Sequence, residues 1–69
     1  MQVVFEIIEN GEARAYVVDV SKIDERTLFG MHKGEMREFA LGEIRHATTV
    51  SGRPFSLRPF DARTMVVRS

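Results

Sequence analysis

The 69-residue chain has no cysteine, no tryptophan, only two prolines and two histidines, and no net charge, because ten Lys+Arg balance ten Asp+Glu. Without cysteine there can be no disulfide staple, no thiolate zinc finger and no cysteine nucleophile, and the cytoplasm is the expected compartment. No apolar run is long enough to cross a bilayer. The first residues carry Glu6, Glu9 and Glu12 where a signal peptide would have a basic start and an apolar stretch, so no membrane association is expected. His32 and His46 stand fourteen positions apart with no further soft ligand, which is not a metal-binding spacing. Ser21, Ser51 and Ser56 lack the context of a nucleophile elbow, and no two acids are placed for acid–base work. Gly30 and Gly34 flank a strand end and a turn, not the helix start that cradles a phosphate. These absences together predict a protein that is not an enzyme and takes no cofactor and no metal.

The chain has room for one domain, residues 1–69. A chain this short buries only about 60% of the surface that its unfolded form exposes. Its stability is therefore expected to be modest, and a homo-oligomer or a bound partner is the expected supplement.

The zero net charge conceals a division. Up to Glu25 six acids face Arg14 and Lys22, a local balance of about −4, whereas from Arg26 onward eight bases face four acids, a balance of about +4. Such a chain can present an acidic and a basic face, suited to self-association or to capture of an anion. The plainer alternative is that strand alternation spreads charges over a solvated surface. Eight of the ten bases are arginine, whose planar fork matches phosphate and carboxylate oxygens. The neutral total argues against tight nonspecific duplex binding, in which phosphate neutralisation supplies most of the affinity.

What is present is a series of short strand signals. Gln2 to Ile8 is rich in β-branched and aromatic residues, and the Asn10-Gly11 that follows supplies the positive φ values of a tight hairpin. Arg14 to Val20 is the predicted return strand, with Arg14, Tyr16, Val18 and Val20 on one side. Ser21 to Glu25 reads as a loop or a wide turn, Thr27 to His32 as a third strand, Lys33-Gly34 as a second hairpin turn, and Met36 to Leu41 as a fourth strand with Arg37, Phe39 and Leu41 on one face. Met36, Phe39, Ala40, Ile44 and Ala47 also recur at helical spacing. Gly42 and the Thr48-Thr49-Val50 run oppose a helix, so the region is expected to be strand, one helical turn near Leu41 to Ile44, then a fifth strand from Arg45 to Val50. Ser51-Gly52 marks a turn. Phe55, Leu57 and Phe60 are spaced to cover an open end of the core, Pro54 and Pro59 keep their segment out of a central ladder, and Thr64 to Arg68 is a candidate edge strand.

The expected fold is all-β: a small five- or six-stranded antiparallel barrel of the Sm-like type with at most one short helical turn. Phe5, Val18, Leu28, Phe39, Leu41 and Ile44 are its expected core. Arg37 and Phe39, two residues apart on one strand face, can offer charge to a phosphate and a ring to a base. Alternatively Phe39 is core and Arg37 pairs with Glu35, Glu12 or Glu25.

Three stretches, Asn10-Gly11 followed by Arg14 to Val18, Thr27 to Gly30, and Gly34 to Ile44, resemble the WYL domain, a small β-barrel module of bacterial and phage regulators. The last stretch matches the family's pattern of glycine, two residues, arginine, any, phenylalanine, any, leucine, two residues, isoleucine, and Ser51-Gly52 resembles its closing turn. The resemblance spans 3–52, leaving 53–69 as an extension. The family's name-giving Trp-Tyr-Leu stands here as Arg26-Thr27-Leu28, and Glu43 replaces an arginine. The resemblance implies a regulatory module that binds nucleic acid or nucleotide-like ligands. It carries anion-binding roles to Arg14 and Arg37 and ring-neighbour roles to Phe29 and Phe39, while Arg45 is added for its closeness to the replaced arginine. The expected function is thus non-enzymatic binding of single-stranded nucleic acid or a nucleotide-like anion. The alternative is a protein-interaction or self-assembling accessory module with no small ligand.

Overall fold

The computed structural model describes residues 1–61. Six strands form one antiparallel sheet: β1 (Gln2–Glu9), β2 (Glu12–Ile23), β3 (Thr27–His32), β4 (Glu35–Ala40), β5 (Arg45–Thr49) and β6 (Phe60–Asp61). A 3-10 turn over Leu41–Glu43 joins β4 to β5. The sheet runs β4-β3-β2-β1-β5, with β6 on β2. The all-β expectation holds, and the helical alternative for Met36 to Ala47 gives way to strand, 3-10 turn and strand.

The first two hairpins follow from their turns. Asn10 and Gly11 take φ values of 52° and 80°, and Lys33 and Gly34 take 51° and 82°, the paired positive values that match the twist of antiparallel strands. These turns set Glu9 opposite Glu12 and His32 opposite Glu35, and every pair beyond follows in register. Because side chains alternate, Val3, Phe5 and Ile7 of β1 share the inner face with Tyr16, Val18 and Val20 of β2, and with Leu28 and Phe39 of the second hairpin.

The inner face is strongly curved. β1 and β4 are separated by two intervening strands, which in a flat sheet would hold them about 14 Å apart. Yet the rings of Phe5 and Phe39 lie 5.1 Å apart, edge to face, and Phe39 and Tyr16 are 5.3 Å apart. The sheet therefore curls around its aromatics, and Val3, Phe5, Val18 and Leu28 retain no exposed surface. Closure into a barrel is not reached among the described residues. The two ends of the path, β4 and β5, share no ladder among the described residues, because the 3-10 turn carries the chain across the gap between them.

Three local expectations are corrected. Ser21 to Glu25 is not a loop throughout: β2 continues to Ile23, and the irregularity between Val20 and Lys22 resets the alternation so that Ile23 re-enters the core. Leu41 and Ile44 are half-buried flankers packed against the core, not members of it. Phe60 packs with Phe55 and Leu57 against the core as expected, but it also pairs with Ile23 as part of β6. Pro54 stays at the margin, in a single bridge to Thr48. The candidate strand Thr64 to Arg68 lies outside the described residues. Among the described residues no helix is long and apolar enough to cross a membrane.

Candidate functional site

The two hairpin turns lie toward the same end of the inner face, and beyond the last core rings that face becomes polar. Arg14, Ala15 and Tyr16 of β2 meet His32 of β3, Lys33 of the turn, and Glu35 and Arg37 of β4 around a shallow depression of about 360 Å³. Three cations and one carboxylate line it, and its floor is aromatic.

Arg37 is held over that floor. Its register partner is Gly30, so no side chain competes for the space beside it on β3. The guanidinium Cζ lies 5.3 Å from the centre of the Phe39 ring and 5.5 Å from that of Tyr16. Both are cation–π distances. Among the described residues Arg37 makes no ion pair, neither with Glu35, Glu12 nor Glu25. Its charge is thus placed by the rings and has no carboxylate partner among the described residues.

Arg14 is differently placed. Its Nε lies 3.3 Å from Glu9 Oε1, while the Tyr16 hydroxyl donates to Glu9 Oε2 at 2.7 Å. One carboxylate therefore serves two neighbours. Accepting that hydrogen bond, Glu9 stabilises the protonated phenol and raises the Tyr16 pKa above its ordinary value of 10.0; desolvation and the Glu9 charge act in the same direction, and the Arg37 guanidinium opposes them. His32 packs edge-on to Tyr16 with ring centres 4.9 Å apart. Its Nδ1 donates to the Val17 carbonyl at 3.2 Å, because a carbonyl can only accept, which leaves Nε2 as the second polar atom of the ring.

The five residues singled out from sequence divide accordingly. Arg14 and Arg37 come together, as the alternation predicts. Phe39 contributes from beneath: it is only 5% exposed and its ring faces Phe5, Tyr16 and Arg37, so it supports the guanidinium and has no free face for a base. Phe29 is paired with Glu38 and lies on the outer face, where Lys22 Nζ sits 5.7 Å from its ring centre. Arg45 is paired with Glu6, also on the outer face. Period-two alternation already puts Phe29 opposite to Phe39. For Arg45 the cause is the irregularity in β5, where His46 takes a φ of 56°.

Tyr16, His32, Lys33 and Glu35 are site residues that the sequence reading passed over. The available signal was the two-residue turn at Lys33-Gly34, which fixes His32 opposite Glu35 and so brings both beside Arg37.

At the other end of the sheet two wider depressions, of about 490 and 540 Å³, are lined around Asp24, Glu25 and the Phe60 strand. Asp24 is committed to its turn there: its Oδ1 accepts the Arg26 and Thr27 amides at 2.9 and 2.8 Å, and these bonds lower its pKa. Among the described residues no group of three or more His, Asp or Glu is placed to hold a metal ion. No known protein family, curated protein or solved structure matches the chain.

Proposed function

We propose that the chain is a non-enzymatic, cytoplasmic regulatory module that binds single-stranded nucleic acid or a nucleotide-like anion at the Arg14–Lys33–Arg37 end of its inner face. The observation that carries this reading is Arg37: a guanidinium placed over two rings, with no carboxylate partner among the described residues, beside Lys33 and the mouth of an open depression. A phosphate can take a two-point contact from such a fork without first breaking an ion pair. The resemblance of Gly34 to Ile44 to the WYL pattern supports the same reading, since that pattern places its arginine at Arg37. Phe29 and Arg45 fall out of the proposed site, and a base would rest against His32 at the rim, since the buried Tyr16 ring is already packed by its neighbours.

Binding of a labelled short oligothymidine and of nucleotides, followed by anisotropy and calorimetry, tests it. Arg37→Ala is expected to weaken binding by about 1.5–3 kcal/mol and Lys33→Ala by less, with affinity falling as salt rises. Full affinity in Arg37→Ala, or no binding by the wild type, would remove the proposal.

A second reading, the self-assembling module, is favoured by one observation. The outer edge of β4 has no strand beside it among the described residues, and Met36 lies exposed on it with Met31 of β3 exposed beside it.

A further inference from the structure

The two long edges of the sheet are not alike. The outer edge of β5 is occupied: Thr48 bridges Pro54, the Thr49 amide donates to the Arg53 carbonyl at 2.8 Å, and the Phe55 amide donates to the Ala47 carbonyl at 3.0 Å. The outer edge of β4 has no such cover among the described residues. Which of its backbone groups point outward follows from the hairpin. The two-residue turn makes His32 and Glu35 the closing hydrogen-bonded pair, so Glu35, Arg37 and Phe39 bond inward to β3. The Leu41 amide, donating to the Arg26 carbonyl at 2.8 Å, continues the same alternation. Met36, Glu38 and Ala40 therefore direct their amides and carbonyls to the free edge.

We infer that β4 pairs antiparallel with β4 of a second copy, about a two-fold axis at Met36. This rests on the self-assembling reading and competes with the anion site, because the pairing engages Glu35 and Arg37 of the same depression. The register follows from charge. Antiparallel bonds can join only edge-directed residues, which leaves few alignments. Pairing Met36 with the second copy's Glu38 sets Arg37 against Arg37. Centring on Glu38 sets the two Glu38 carboxylates against each other. Alignments nearer Ala40 run into the 3-10 turn. Pairing Met36 with Met36 instead sets Arg37 opposite the second copy's Glu35, and Glu35 opposite its Arg37, on the inner face. These are two reciprocal ion pairs at the close, non-hydrogen-bonded spacing where cross-strand side chains interact best.

The outer face agrees. Met36 is 59% exposed and Met31, its register partner on β3, is 40% exposed. In the two-fold arrangement Met31, Met36 and their two copies form one apolar row across the joined sheets. A long, uncharged edge would be expected to pair without limit, but here the isologous contact joins the β4 edge of one copy to the β4 edge of the other and stops at two.

The test is a charge-reversal cycle on the full 69-residue chain, read by sedimentation velocity across a concentration series, with circular dichroism to confirm folding. The wild type should be a monomer–dimer system. Glu35→Arg and Arg37→Glu should each raise the dimer dissociation constant tenfold or more, since both pairs become repulsive at once. The double variant Glu35→Arg/Arg37→Glu should return to within a fewfold of the wild type, an outcome that unfolding of either single variant could not mimic. Met36→Lys, which sets two ammonium groups at the axis, should dissociate the dimer and leave the strand spectrum unchanged. A wild type that stays monomeric up to about 0.5 mM would overturn both the inference and the self-assembling reading. A dimer indifferent to the charge cycle would overturn the β4 edge alone and send the interface elsewhere.

Discussion

Along one face of β2 the side chains pass from Val20 and Val18, which are buried, through Tyr16, buried but hydrogen-bonded, to Arg14, which is exposed. The strand is the same throughout, and from Val18 to Arg14 so is its pairing partner β1. What changes is whether a second surface lies opposite. Over Val18 the curled sheet brings β1 and β4 together; past Tyr16 the hairpins reach beyond that closure and the same face meets solvent. The apolar end is held by the removal of surface from water, worth roughly 25 cal/mol per Å². The polar end depends on contacts that solvent and salt can replace. A sheet of one construction thus yields a scaffold at one end and a binding surface at the other, with the rings of Tyr16 and Phe39 as the border.

The comparison can be broken most severely at the scaffold end. Phe5→Ala removes a ring that is fully buried and in contact with Phe39 and Tyr16. A loss of about 3–5 kcal/mol is expected in urea denaturation, enough to unfold a chain of this size. Next comes the border itself. A Cβ at Gly30 would lie 2.5 Å from Val18 Cγ1 and 2.6 Å from the Asp19 carbonyl oxygen, and the backbone oxygen has little room to give. Gly30→Ala should cost about 1–3 kcal/mol and disturb Arg37, its cross-strand partner, so that stability and anion affinity fall together.

Tyr16→Phe tests the border from the other side and should cost less than either. It deletes the hydroxyl that Glu9 accepts and keeps the ring. Because the folded-state pKa of Tyr16 is raised above 10.0, its contribution is complete below pH 10 and is lost as the pH climbs through the raised value. Melting temperature measured against pH should therefore fall more steeply above pH 10 in the wild type than in Tyr16→Phe. The smallest effect belongs to the exposed end. Arg14→Ala breaks the 3.3 Å contact with Glu9 and should change stability by no more than about 0.5 kcal/mol, a difference that moderate salt erases. A large loss in Arg14→Ala would mean that the polar end is structural after all.

What was legible in the sequence was mostly local. Asn10-Gly11 and Lys33-Gly34 announced two hairpins whose registers then placed Phe5, Val18, Leu28 and Phe39 inside, and Gly42 with the Thr48-Thr49 pair pointed to a short turn followed by β5. What was not legible depends on partners distant in sequence. The alternation of β2 favours even positions through Val20, yet buries Ile23, and only the pairing with β3 and β6 reveals the extra residue between them. An isolated apolar residue in a polar stretch was the available hint. The same holds for the site: Arg14 and Arg37 could be assigned a common face from period two, whereas Arg45 follows from the irregularity in β5, and the sharing of Glu9 between Arg14 and Tyr16 from side-chain reach along the strand.

The inner edge of β2 is divided between two tenants: β1 covers Glu12 to Asp19 and β6 covers Lys22 and Ile23. The first tenant is joined to β2 by a two-residue turn, the second by a chain that must close over 37 to 39 positions. Loop-closure entropy rises with that separation, so the β1–β4 meander should assemble early and the β6 end of the ladder should dock late and open first. In native-state hydrogen exchange the amides of Val18 and Leu28 are expected to exchange only with global unfolding, while those of Phe60 and Asp61 exchange by a cheaper local opening. The order in which this protein comes apart is then written along a single strand, from its Ile23 end toward the hairpin.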